Sequence, residues 1–236
     1  MSETVTSTPT ALRPAELAPY IQHTKIELGS TRDEMIAHAR ETAEYGFNAA
    51  MVPASWVPLV AAELAGTGIG IASALDFPTV GVMTSAGKAA EAAEIARLGA
   101  TQLDIGVQIG WLKSGMYDEF REDIAGVVRA CGIPVKVMLE LPLLTDAEKE
   151  AAVELAQEAG VAFLKNASSG AVETANPASV RYLVERARDG VQVKASGSIK
   201  SYPQALSLLE AGAVLMGTSA GIQILTDSGD ESTVSY

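Results

Sequence analysis

The chain has 236 residues, 48% of them hydrophobic and 19% charged, which is enough for one large core and suits a single domain. A net charge of −12, with no cluster of lysines and arginines, excludes a nucleic-acid surface, because nothing neutralises a row of phosphates. One cysteine, Cys131, and two histidines, His23 and His38, exclude a disulfide framework, a thiolate metal centre and a His-rich metal site.

In chain order, residues 1–12 read as a flexible tail without the basic start or apolar core of a signal peptide. No apolar run reaches membrane-spanning length, so no membrane partner is expected and the expected location is cytoplasmic. Strands are predicted at Tyr20–Lys25, Asn48–Val52, Gly70–Leu75, Gln102–Val107, Pro134–Leu139, Ala162–Asn166, Gln192–Ser196 and Val214–Gly217. Between them lie helical patterns at Arg32–Tyr45, Trp56–Leu64, Ser85–Leu98, Gly115–Ala130, Asp146–Ala159, Pro177–Ala187 and Tyr202–Ala211. Thr145-Asp146-Ala147-Glu148 has the shape of a capping box. Asn176 before Pro177 is a cap with proline at the first helical position. Tyr45-Gly46-Phe47, Leu98-Gly99-Ala100, Ala159-Gly160-Val161 and Ala211-Gly212-Ala213 each read as a glycine helix stop before a strand. This repeated alternation predicts a single α/β domain over residues 13–226, a (β/α)₈ TIM barrel. A doubly wound open sheet shares the alternation but usually needs fewer units. Residues 227–236, acidic and serine-rich, read as a second flexible tail.

In such a barrel the reaction site lies at the C-terminal ends of the strands. Those ends carry Asp104 on the fourth, Lys136 and Glu140 on the fifth, Lys165 on the sixth and Lys194 on the seventh. A buried strand rarely ends in a lysine unless its charge has a use. A lone lysine there usually snorkels to solvent. Two on adjacent strands, both followed by small residues, make an amine pair in which one charge pushes the other towards the neutral nucleophile. Lys136 and Glu140 read as an ion pair supporting them. Glycine-rich turns after the last two strands place amides of Gly197, Ser198, Gly217 and Ser219 where a phosphate commonly sits.

The runs Leu103–Gly115, Val135–Glu140, Phe163–Lys165, Val193–Gly197 and Gly217–Gly221, in this order and spacing, resemble the deoxyribose-phosphate aldolase family of class I aldolases. The resemblance runs from about Gln22 to Leu225. It implies that Lys165 forms a Schiff base and that Lys194 lowers its pKa. It also implies that Asp104, with an ordered water and Lys194, moves protons. The imine is then the electron sink and no metal or organic cofactor is needed. The implied reaction turns deoxyribose 5-phosphate into acetaldehyde and glyceraldehyde 3-phosphate, and a homodimer is the expected assembly.

The chain departs from the family around substrate binding. Gln22 stands for the usual aspartate, Met51 for cysteine, and Pro53 is near a usual asparagine. Asp76 stands for glycine, Lys200 for arginine and Ala220 for serine. Asn166-Ala167-Ser168-Ser169 replaces Thr-Ser-Thr-Gly, and Ser196-Gly197-Ser198 replaces Ser-Gly-Gly. Losing a buried donor there removes about 1–3 kcal/mol of anion binding. Ser168 keeps a hydroxyl at the site. Two other readings therefore stand beside the first. One is an aldolase for a different, unphosphorylated aldehyde in specialised metabolism, with Asp76 and Gln22 binding its hydroxyls. The other is a barrel that binds a phosphorylated metabolite without catalysis. His23 reads as structural, through a hydrogen bond.

Overall fold

A computed structural model describes residues 12–227. Eight parallel strands close into a barrel in sequence order: β1 (Ile21–Thr24), β2 (Ala49–Met51), β3 (Gly70–Leu75), β4 (Gln102–Gly106), β5 (Val135–Met138), β6 (Phe163–Lys165), β7 (Gln192–Ser196) and β8 (Leu215–Thr218). The closing pair is β1 with β8, with Gln22 opposite Gly217. All eight predicted strands are present; β3 and β7 match their expected bounds, β8 is shifted by one residue, and the other five are shorter by one or two residues, because chain leaving a barrel rim stops pairing before its apolar pattern ends. The expected tails, residues 1–12 and 227–236, lie outside the described residues apart from Leu12 and Asp227.

The period of two along the strands separates two apolar layers. Ala50, Ile71, Leu103, Ile105, Val135, Val137, Leu164, Val193 and Met216 face outwards and pack under the helices in the main core. Ala49, Met51 and Ala72 form a second, small cluster inside the barrel, with Ala74 against it. Small residues on β2 and β3 leave room inside. The opposing wall, from β4 to β7, puts Asp104, Lys136, Lys165 and Lys194 into that space, all buried.

Seven predicted helices are found as α1 (Arg32–Glu44), α2 (Val57–Glu63), α3 (Ser85–Arg97), α5 (Tyr117–Cys131), α6 (Asp146–Glu158), α7 (Pro177–Val184) and α8 (Tyr202–Glu210). The caps behave as expected. Thr145 accepts from the Glu148 amide and Glu148 reaches back to the Thr145 amide, and Asn176 accepts from the Ser179 amide at 3.0 Å. Cys131 ends α5, buried. Two short helices, α4 (Ile109–Lys113) and α9 (Gly221–Thr226), and a 3₁₀ helix at Pro14–Tyr20 were not expected. Five to seven residues are too few to show a period of 3.6. No helix among the described residues is long and apolar enough to cross a membrane.

Candidate active site

Strand register sets the chemistry. Asp104 on β4 lies opposite Lys136 on β5, and Lys165 on β6 lies opposite Lys194 on β7. Asp104 stands at the centre of the three amines. Its Oδ2 accepts from Lys165 Nζ at 2.8 Å and from Lys194 Nζ at 2.7 Å, and its Oδ1 lies 3.5 Å from Lys136 Nζ. Asp104 and Lys136 are fully enclosed, and Lys165 and Lys194 are 4% and 1% exposed. Burial alone would raise the Asp104 carboxyl, but the charges of Lys165, Lys194 and Lys136 outweigh it and hold it far below the usual carboxylate range. Burial pushes the Lys194 amine well down; Asp104 opposes this, and the charges of Lys165 and Lys136 add to it. Lys136 is lowered by the same burial. One carboxylate cannot hold three buried lysines charged at once, so one amine gives up its proton readily.

Above this cluster a cavity of about 310 Å³ opens at the C-terminal rim of the barrel. Lys165 and Lys194 reach its floor, and Ser168, Gly197, Ser198, Gly217 and Ser219 form its wall. All five residues expected to bind a phosphate thus border one space with the amines. Lys200 borders it too, so a cation remains where the family has arginine. Gly197 cannot carry a side chain: φ is 122° and a Cβ would stand 2.0 Å from the Glu173 carbonyl oxygen. Gly217 leaves room for Lys194, whose Cε would lie 3.3 Å from an added Cβ.

Four expected supporting residues are placed differently. Lys136 does not pair with Glu140. Its partner is Asp104, and its ammonium also sits 5.4 Å from the centre of the Phe163 ring. Four residues along a strand span about 13 Å, and Glu140 has already turned off β5 with φ 52°. The Glu140 carboxylate accepts from the Ser168 amide at 3.0 Å, fixing the loop after β6, and burial raises its pKa. Gln22 faces the amines instead of substrate. Its Oε1 accepts from Lys194 Nζ, and its Nε2 donates to Gln102 at 2.6 Å.

Asp76 does not reach the cavity. It accepts from the amides of Gly81, Val82 and Met83 at 2.9, 3.0 and 3.2 Å, and pairs with Lys88 at 3.1 Å. Lys88 also holds Asp123 at 2.7 Å and the Gly106 carbonyl at 2.9 Å. This buried cluster shapes the loop that brings Phe77 to the cavity wall. Asp76→Asn is expected to cost about 1–3 kcal/mol of stability and to raise KM through Phe77 at little change in kcat. A denaturant midpoint and a substrate titration check it.

Two residues that shape the site were not singled out for it. Asn166, directly after Lys165, donates to Glu173 at 2.6 Å and to the Ser196 carbonyl at 3.0 Å, and accepts from the Ser196 amide at 2.9 Å. It ties the ends of β6 and β7. Its signal was a polar side chain ending an apolar run. Lys88 lies on the same buried stripe of α3 as Ala92 and Ile95, and a lysine on such a stripe needs a partner. His23 does not make the clean structural hydrogen bond expected of it: Nδ1 has no partner, and Nε2 lies 3.7 Å from Glu41.

No protein-family model matches the chain. A deoxyribose-phosphate aldolase from Methanothermobacter thermautotrophicus is 40% identical over 211 residues, covering 89% of this chain and 94% of that one. The solved aldolase QR15 is 31% identical, with TM-score 0.83 over 89% of this chain and 94% of its own. The tetrameric deoxyribose phosphate aldolase from Aeropyrum pernix is 28% identical, with TM-score 0.81 over 90% of each chain. With 40% identity spread over nearly the whole of both chains, this chain belongs to the deoxyribose-phosphate aldolase family.

Proposed function

We propose that the protein is a class I aldolase that cleaves 2-deoxy-D-ribose 5-phosphate to acetaldehyde and glyceraldehyde 3-phosphate, with Lys165 as the Schiff-base amine. One observation carries this reading: Lys165 reaches the cavity floor while sharing an oxygen of Asp104 with Lys194. Neutral Lys165 adds to the aldehyde carbon, and the carbinolamine loses water to give an iminium ion. A base takes the proton of the hydroxyl on the third carbon. The electron pair of the bond between the second and third carbons moves into the iminium, releasing glyceraldehyde 3-phosphate and leaving an enamine. Protonation of the enamine and addition of water return acetaldehyde and the free amine. Asp104 and Lys194, with an ordered water, carry these protons. The iminium supplies the electron sink within the chain's own chemistry.

The amides of Gly197, Ser198, Gly217 and Ser219 and the ammonium of Lys200 bind the phosphate in this proposal, with the Ser168 hydroxyl towards the sugar. The substitutions that pointed to a different aldehyde lose two supports, since Asp76 and Gln22 face a loop and Lys194. A homo-oligomer built on a dimer belongs to the same proposal. It rests on the tetrameric Aeropyrum pernix relative and is read by sedimentation mass. The proposed setting is cytoplasmic carbohydrate catabolism.

Borohydride reduction with acetaldehyde, followed by intact mass and peptide mapping, tests the mechanism beside a cleavage assay. The expected result is an ethyl adduct on Lys165 together with deoxyribose 5-phosphate cleavage. An adduct without cleavage overturns the substrate. Neither adduct nor cleavage leaves the non-catalytic barrel as the correct reading.

A further inference from the structure

Gln22 and Thr24 turn towards the barrel interior and its cavity, and His23 between them turns outwards against α1. Its ring stacks on Phe47, with centroids 4.6 Å apart at 16°, and on His38, with centroids 4.6 Å apart at 28°. His38 and Glu41 stand three residues apart on α1 and so share a face. A ring nitrogen of each histidine and a carboxylate oxygen of Glu41 all lie within 4.8 Å of one another.

The two imidazoles are 5% and 3% exposed, yet His38 Nε2 has no hydrogen-bond partner. A buried polar atom left in this state costs about 1–3 kcal/mol and calls for an explanation. A neutral imidazole offers a lone pair to a metal ion. The three residues border a cavity of about 280 Å³, reached past Glu41, whose side chain is 46% exposed.

We propose that His23, His38 and Glu41 bind a divalent transition-metal ion of the zinc class, outside the reaction cavity. Two imidazoles and one carboxylate suit zinc, nickel or cobalt rather than magnesium or calcium, which favour oxygen ligands. Ligands at ~2.1 Å from a tetrahedral ion stand ~3.4 Å apart. His23 Nε2 and Glu41 Oε2 are already 3.7 Å apart, and the exposed Glu41 chain can close the remaining gap. Water takes the fourth position. Lys25, which borders the same cavity, has its charge offset by Glu27 at 3.6 Å. The ion ties β1 to α1 beside Ser219, at the back of the turn that rims the reaction cavity. Two histidines are few for a His-rich site, but a count does not show that both converge on one carboxylate.

Untagged protein, treated with chelator and dialysed, is titrated with zinc chloride by calorimetry, and its melting temperature is followed in parallel. Expected are one equivalent bound at micromolar affinity or tighter and a raised melting temperature. Glu41→Gln, a change on the surface, and His38→Leu, which refills the buried space, each weaken binding at least tenfold while Schiff-base trapping at Lys165 persists. Folded wild-type protein that binds no zinc overturns the proposal. So does zinc binding that Glu41→Gln leaves unchanged, which is the signature of the acidic surface.

Discussion

Lys165→Met is expected to abolish both turnover and borohydride trapping while leaving the barrel folded. The loss in kcat/KM is on the order of 10⁴-fold or more, because no other group in the cavity can take over a covalent step from its nucleophile. Among the described residues two other amines border the cavity: Lys194 is tied to both Gln22 and Asp104, and Lys200 lies outside the Asp104 cluster. Methionine keeps the unbranched stem, so packing against the barrel wall is conserved.

Stability should not follow activity. Three buried lysines share one carboxylate, and removing one relieves like-charge crowding while Asp104 keeps Lys194 and Lys136. The melting temperature of Lys165→Met is therefore expected to stay level or rise, the pattern of a site held against its own stability. Circular dichroism melting beside an intact-mass measurement after reduction separates the two effects. Full turnover in Lys165→Met would falsify the proposed mechanism. A lost adduct with a lowered melting point would show instead that Lys165 holds the fold.

The contrast between what the chain announces and what it hides follows from distance along the backbone. Strand-end lysines are legible because a period of two assigns each residue a face, and closure of the barrel brings inward faces together whatever the loops do. That reasoning places Asp104, Lys165 and Lys194 at one centre. It fails one step beyond the strands. Glu140 has the right parity to face Lys136, but the chain turns at Glu140 itself, with φ 52°, and parity no longer applies. Asp76 likewise sits past β3 at φ 53°, where local amides compete for its carboxylate more effectively than any substrate. Helices α4 and α9 are too short to show a period. The meeting of His23 with His38 and Glu41 depends on how α1 is rotated against β1, which no local pattern records.

Asp104→Asn tests the centre of the site from the opposite charge. The amide keeps the shape and one acceptor but removes the negative charge, so Lys136, Lys165 and Lys194 are left around a neutral group. Removing one partner from a buried ion cluster costs about 3–5 kcal/mol, and the sign of its pH dependence follows from the proton count. In the wild type the depressed Asp104 carboxyl contributes stability that is complete above the ordinary carboxylate range and is lost only as acid reaches its folded-state pKa. In Asp104→Asn that contribution disappears. Asp104 normally raises Lys194 and Lys136, so its loss lowers both further. The folded variant then binds fewer protons than the unfolded chain from the lowered pKa values up to the ordinary lysine range, and its stability rises with pH across that window. Denaturant midpoints should thus show a large deficit near pH 6 and a smaller one near pH 9, both read against the ordinary lysine pKa of about 10.4. Turnover should drop about 10²- to 10⁴-fold through loss of the proton carrier. The acid limb of the residual rate profile should move to lower pH, because the amines reach their neutral form more easily. A variant with wild-type turnover and a pH-independent midpoint would remove Asp104 from the mechanism and leave the three lysines without the counter-charge that the strand register places among them.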